Sequence, residues 1–167
     1  MSDRQVLFLD YDGVLHRGGA YRTKRGIISS DPTHIKLFEY ADVLAAILAP
    51  YPSVELVLST SWVKGLGFNR ARSALPAADL RAKVVWATYH SRFHDAYFWD
   101  GMARGILVLG YVNRHRLVHW LALDDMDDGF DDEPGRPVHC DPDEGLGDPD
   151  IQEGLKAALY AQFGEMR

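Results

Sequence analysis

The sequence predicts an α/β fold, a doubly wound and mainly parallel sheet flanked by helices, and three features lead to it. Three short runs, Val6-Leu7-Phe8-Leu9, Leu56-Val57-Leu58 and Trp120-Leu121-Ala122-Leu123, are apolar throughout, which marks strands buried on both faces, as in a parallel sheet covered by helices. Segments with helical periodicity lie between them, and parallel neighbours need such crossovers, nearly always right-handed. Each run also stops abruptly at a hydroxyl or a carboxylate: Asp10, Ser59 and Asp124.

Along the chain, the first strand ends at Asp10. A helix is expected to open at Asp31-Pro32, a cap followed by a first-turn proline. Ile35, Phe38, Val43, Leu44, Ile47 and Leu48 give it an apolar side until Pro50 stops it. The second strand ends before Ser59, and Val84-Val85-Trp86 adds another. A helix from about Ala103 to Arg114 carries Ile106, Leu109 and Val112 on one side and leads to the strand ending at Asp124. Pro137-Val138-His139 is a further short strand. The last helix spans about Asp148 to Phe163, after a loop rich in Asp, Gly and Pro. No repeat or linker divides the 167 residues, so residues 1–167 are expected to form one domain.

Composition narrows the class. Apolar residues at 47% and charged residues at 25% are ordinary globular usage and exclude a disordered or fibrous chain. No apolar run reaches the roughly eighteen residues of a membrane span, and the N-terminus lacks a basic-then-apolar leader. The expectation is a soluble, cytoplasmic chain with no membrane partner. A single cysteine, Cys140, forms no internal disulfide and offers no CxxC pair for zinc. The net charge of -6 does not advertise a nucleic-acid partner, since such binders carry a basic excess. Much of the acid lies between Asp124 and Glu133, however, and clustered carboxylates equally mark a cation site. The sum therefore leaves room for a local basic groove, and no feature fixes an oligomeric state.

Open α/β sheets bind ligands at the carboxyl ends of their strands, so Asp10, Ser59, Asp124 and Asp125 should converge at one sheet edge. Adjacent carboxylates repel unless a cation or protons offset them. Magnesium suits such a group: it takes oxygen ligands, holds a few carboxylates, and leaves positions for water or phosphate. Its charge keeps Asp10 ionised, as a nucleophile must be. In Asp10-Tyr11-Asp12-Gly13-Val14-Leu15, Asp10 is then placed to attack phosphorus and form an aspartyl-phosphate. Asp12 reaches the same centre if the chain turns at Gly13, protonates the leaving oxygen and later deprotonates the hydrolytic water. Ser59 is expected to bond a nonbridging phosphate oxygen, with Gly13 and Thr60 completing the phosphate contacts. The fixed cation that phosphoryl transfer calls for is expected from Arg104.

The set DYDGVL, LVLSTSW and LALDD resembles the haloacid dehalogenase superfamily of aspartate-nucleophile phosphatases. Within it, the chain is similar to the small domain group named for the Swiss Army knife RNA repair proteins. In that group a Ser-Trp pair follows the second strand, an Arg-Gly opens the third-motif helix, and a Gly-Leu turn precedes the last helix. Ser61-Trp62, Arg104-Gly105 and Gly145-Leu146 stand here in that order, so the likeness covers almost the whole chain. It implies a Rossmann-like fold, with Mg2+ held by the Asp10 carboxylate, the Asp12 backbone carbonyl and a fourth-motif acid, Asp125 ahead of Asp124. One departure is that the third motif is commonly lysine. Arg104 keeps the charge as a planar fork, and Lys83 and Arg114 stay as rivals for the role.

The resemblance also bears on caps, which sit between the first and second motifs or between the second and third. Here the first interval holds a flap-like loop over 16–31 and a helix. The second holds Trp86, Tyr89, His90, Phe93, His94, Tyr97, Phe98 and Trp99, enough for an aromatic lid or extra helix over 86–100. The chain thus reads as lacking a large cap domain, and the resemblance links an open site to larger substrates: a nucleotide, a nucleic-acid end or a phosphoprotein. The expected activity is Mg2+-dependent hydrolysis of a phosphomonoester. The alternatives are a nucleic-acid repair accessory that keeps the phosphate site, or a phosphotransferase. Asp127, Asp128, Asp131 and Asp132 read as a solvated loop, and His90, His94, His115 and His119 as surface or core residues.

Overall fold

The five segments expected as strands become five parallel strands. In the computed structural model, which describes residues 2–90, 99 and 101–164, β1 (Ser2–Leu9) is followed by the hairpin β2 (Ala20–Thr23) and β3 (Gly26–Ser29). Next come α1 (Ala41–Leu48), β4 (Val54–Leu58), the short helices α2 (Ser61–Leu66), α3 (Phe68–Ser73) and α4 (Ala78–Lys83), and β5 (Val84–Ala87). Then α5 (Arg104–His115), β6 (Leu117–Asp124), β7 (Pro137–His139), a 3-10 turn at Gly145–Gly147 and α6 (Pro149–Phe163) complete the chain. The sheet order is β5-β4-β1-β6-β7, and every pairing within it is parallel.

The alternation of side chains along each strand divides the core in two. Leu7, Leu9, Leu56, Leu58, Leu121 and Leu123 pack on one face against Leu44 and Leu48 of α1 and Leu155 and Leu159 of α6. On the other face Val6, Phe8, Val57, Trp120 and Ala122 meet Val108, Tyr111 and Val112 of α5. Burial on both faces is why the runs Val6–Leu9, Leu56–Leu58 and Trp120–Leu123 within these strands carry no polar residue.

Two local expectations differ from the structure. Asp31-Pro32 starts only a turn, in which the His34 and Ile35 amides donate to the Asp31 carbonyl. The helix begins ten residues later because Phe38 adopts φ 58°, outside the α-helical region, yet keeps its ring buried against Tyr11, His16 and Trp62. On α5 the buried stripe is Arg104, Gly105, Leu107, Val108, Tyr111 and Val112, while Ile106 is 57% exposed. The sheet-facing side is therefore rotated from the Ile106, Leu109, Val112 line. Within 16–31 the chain makes an antiparallel hairpin pairing Ala20 with Ser29. Most of the aromatic segment expected as a lid, 91–98 and residue 100, lies outside the described residues. Among the described residues, no helix is long and apolar enough to cross a membrane.

Candidate active site

Strand register builds the site. Leu9 is the partner of both Leu58 and Leu123, and each ladder runs one bond further: Ser59 N–H donates to the Leu9 carbonyl at 2.8 Å and Asp10 N–H to the Leu123 carbonyl at 3.1 Å. Asp10, Ser59 and Asp124 therefore stand in one row at the carboxyl edge of the three central strands. Asp125 follows directly. Asp10, Asp124 and Asp125 each offer a carboxylate oxygen within 4.8 Å of the others, a group that could hold a metal ion.

Arg104 enters this row from the first turn of α5. It is 8% exposed, its Nε lies 3.4 Å from Asp124 Oδ2, and its Nη2 lies 3.9 Å from Asp10 Oδ2. Its Nη1 donates to the Ser59 carbonyl, and the Trp99 ring lies 5.7 Å from its guanidinium carbon. α5 can start here because Gly105 has no side chain: a Cβ there would lie 2.8 Å from Gly129 Cα, and the Gly105 amide donates to the Asp128 carbonyl at 2.8 Å. Gly13 makes a similar approach. It holds φ 72°, and a Cβ on it would lie 2.8 Å from Asp125 Cγ.

One guanidinium does not neutralise three carboxylates. Burial, then the Asp124 charge, pushes the Asp10 carboxyl well above the usual carboxylate range despite Arg104. Burial pushes Asp124 up to about 7, against the opposing pull of Arg104 and of the hydrogen bonds from Asp10 and the Met126 amide. Burial works against the charge of Arg104, and Asp10, Asp124 and Asp125 together outweigh it. Asp10 Oδ1 accepts the Tyr11 amide at 2.8 Å. Nearby, burial and the same aspartates push the Cys140 thiol up to about 12, which makes it inert.

A cavity of about 290 Å3 opens on this group, lined by Asp10, Asp12, Ser61, Trp99, Arg104 and Asp125 among others. A second, of about 130 Å3, shares Asp12 and Ser61 with it and reaches Arg22 on the β2–β3 hairpin.

A family model described as the HAD domain in Swiss Army Knife RNA repair proteins matches residues 6–151. The chain belongs to this family. Its fold is the Rossmann-like one of the haloacid dehalogenase group, and membership points to phosphohydrolase chemistry in general. No curated protein and no solved structure matches the chain.

Within that family frame, the structure brings together Asp10, Asp12, Gly13, Arg104, Asp124 and Asp125. Ser59 is fully buried, its Oγ 3.4 Å from Thr88 Oγ1 and 3.5 Å from Arg104 Nη1. Thr60 is the N-cap of α2, accepting the Trp62 amide at 3.4 Å. The hydroxyl of this segment that lines the cavity is that of Ser61. Lys83 lies at the opposite end of the sheet, where it donates to the Tyr51 and Val54 carbonyls. Arg114, in the last turn of α5, lines a separate cavity with Trp86 and His115. His16 and Trp62 were not singled out from the sequence as site residues, yet both bond the Asp12 carboxylate, His16 Nε2 at 2.8 Å and Trp62 Nε1 at 2.9 Å. A histidine four residues beyond Asp12 was the available signal, but in a loop no periodicity directs it inward.

Proposed function

We propose that this domain is a Mg2+-dependent phosphatase that cleaves phosphomonoesters through an aspartyl-phosphate on Asp10. The observation that carries this reading is the meeting of Asp10, Asp124 and Asp125 within 4.8 Å, three acids with, among the described residues, a single buried arginine beside them. The donor set fits the ion: carboxylate and backbone carbonyl groups are all hard oxygen donors, as magnesium prefers. The carboxyls, pushed up by burial and by one another, favour a compensating cation. Asp10 and Asp125 would hold it, with Asp124 close by and Asp12 through its backbone carbonyl. When bound it supplies positive charge that keeps Asp10 ionised and offsets charge on the phosphoryl oxygens.

The chain's own residues account for the remaining steps. Asp10 Oδ2 attacks phosphorus as the bond to the leaving oxygen breaks, and the proton on Asp12 passes to that oxygen. Arg104 and the Ser61 hydroxyl hold nonbridging oxygens. Ser59 keeps the guanidinium in place through its carbonyl and hydroxyl. Water then attacks the aspartyl-phosphate, Asp12 takes its proton, and inorganic phosphate leaves with Asp10 regenerated. If an acceptor other than water enters at this stage, the same site is a phosphotransferase.

The reading extends to substrate size. Arg22, Lys24 and Arg25 are exposed on the hairpin, and Arg22 borders the cavity shared with Asp12, a basic rim that favours a phosphorylated nucleic-acid end over a small neutral substrate despite the net charge of -6. Localisation in the cytoplasm belongs to the same proposal. Asp10→Asn should abolish release of phosphate from 4-nitrophenyl phosphate, and chelation should silence the wild type reversibly. In chelator the variant should melt no lower than the wild type, because it removes one of several buried like charges. Substantial turnover by a folded Asp10→Asn protein would refute the assignment.

A further inference from the structure

Asp12 is held by two side chains that the mechanism above does not use. Its Oδ1 receives the indole N–H of Trp62 at 2.9 Å and faces His16 Nε2 at 2.8 Å. His16 is fully buried, and its other ring nitrogen, Nδ1, accepts the Phe38 amide at 3.2 Å. Because Nδ1 is occupied as an acceptor, the ring proton sits on Nε2, and His16 donates to Asp12. The arrangement has a cost. Phe38 reaches His16 only with φ 58°, a conformation that a bulky residue adopts when its surroundings enforce it. Those surroundings are aromatic rings set edge-on to Phe38: Tyr11, His16 and Trp62 at 5.1 to 5.4 Å.

We propose that His16 and Trp62 are positioning residues that clamp Asp12 Oδ1 and so assign the proton in transit to Oδ2. The inference rests on the phosphatase reading given above. A carboxylic oxygen has two lone pairs for donors, and both on Oδ1 are taken by these N–H groups. Oδ1 is thus the carbonyl-like oxygen of the acid form, and Oδ2 carries the hydrogen. In the first step the bond from phosphorus to the leaving oxygen breaks, a bond from Asp10 to phosphorus forms, and the Oδ2 proton moves to the leaving oxygen. The clamp also fixes the rotation of the carboxyl group, so that Oδ2 meets the leaving oxygen at each encounter. Asp12 borders both cavities, which places this proton where a substrate enters.

The test uses leaving groups of graded need for a proton, because a misaligned acid slows departure of a poor leaving group far more than that of a good one. In the 167-residue chain, kcat/KM, which reports steps up to departure of the leaving group, is measured for 4-nitrophenyl, phenyl and methyl phosphate. The proteins are wild type, His16→Phe, Trp62→Phe and His16→Gln. In His16→Phe and Trp62→Phe the loss on methyl phosphate should exceed the loss on 4-nitrophenyl phosphate by about tenfold or more, within the 10²- to 10⁴-fold range of general acid catalysis. His16→Gln, which keeps an N–H donor, should recover part of that difference. Equal losses across the three esters in folded His16→Phe, with an active wild type, overturn the clamp alone. If His16→Phe does not fold, Trp62→Phe decides on the same criterion. A wild type inactive on all three esters overturns the phosphatase reading and the clamp with it.

Discussion

Among the described residues Arg104 is the one buried cation beside the acidic row, and replacing it by methionine isolates what its charge does. With an effective permittivity near 20, its contacts at 3.4 Å to Asp124 and 3.9 Å to Asp10 are worth about 5 and about 4 kcal/mol before desolvation is counted. Taking the guanidinium out of water offsets much of that. Breaking a buried pair by removing one partner costs about 3 to 5 kcal/mol, and a loss near 3 kcal/mol is the expectation here. The loss should depend on pH in a defined direction. Asp124, already pushed up to about 7, rises further without Arg104, so at about pH 5.5 its carboxyl is neutral and needs no partner. At about pH 8 the variant must either ionise that group unpaired or hold a proton that the unfolded chain releases, and both destabilise it. Urea unfolding in chelator at the two pH values measures the difference. The loss at pH 8 should be at least twice the loss at pH 5.5, and Arg104→Lys, which keeps the charge but not the fork, should lie between wild type and Arg104→Met. Equal losses at both pH values, or none, would refute the claim that Arg104 acts by offsetting buried carboxylates.

Two further outcomes follow from the same geometry. Gly13→Ala forces a side chain into a positive φ, at about 1 to 2 kcal/mol, and places a Cβ 2.8 Å from Asp125 Cγ. It should lower the melting temperature and also weaken the stabilisation given by Mg2+, whereas a strain effect alone would lower both melting curves in parallel. In chelated wild type, the raised Asp10 and Asp124 carboxyls hold in the folded state a proton that the unfolded chain releases near 3.8. The stability they contribute is full below that value and falls as pH rises towards about 7. Urea midpoints measured across this range should decline with pH in chelator, and millimolar Mg2+ should flatten the decline.

Much of the fold was legible because the sheet is buried on both sides. Strands such as Val6–Leu9 and Trp120–Leu123 have no solvent face, so their sequences carry no polar residue until the edge where Asp10 and Asp124 stand, and the site announces itself as the place where the apolar runs stop. Helices resting on one face were less legible in detail. The side of α5 that meets the sheet is set by Gly105, which must lie against Gly129, and by the inward course of Arg104, neither of which is an apolar signal. Counting only hydrophobic residues therefore placed Ile106 inward when it is exposed. Phe38 misled for a related reason. Its apolar side chain fits a helical stripe, but its amide is needed by His16 Nδ1, and a helical Phe38 would direct that amide along the helix.

What sequence spacing could not supply is the layer behind the acids. Asp12 and Trp62 are fifty residues apart, and His16 lies in a loop, so nothing periodic joins them. They meet because Trp62 opens the helix after β4 while Asp12 follows β1, and the two strands are adjacent and in register. The residues that carry charge at this site are thus fixed by where strands end. Those that orient the charge are fixed by which strands are neighbours, a property of sheet order. In a parallel sheet the two are coupled, since placing β1 between β4 and β6 brings Trp62 from one side to Asp12 and Asp124 from the other to Asp10. The same crossover geometry that buries the strands therefore assembles the acids and their hydrogen-bonding partners around one edge.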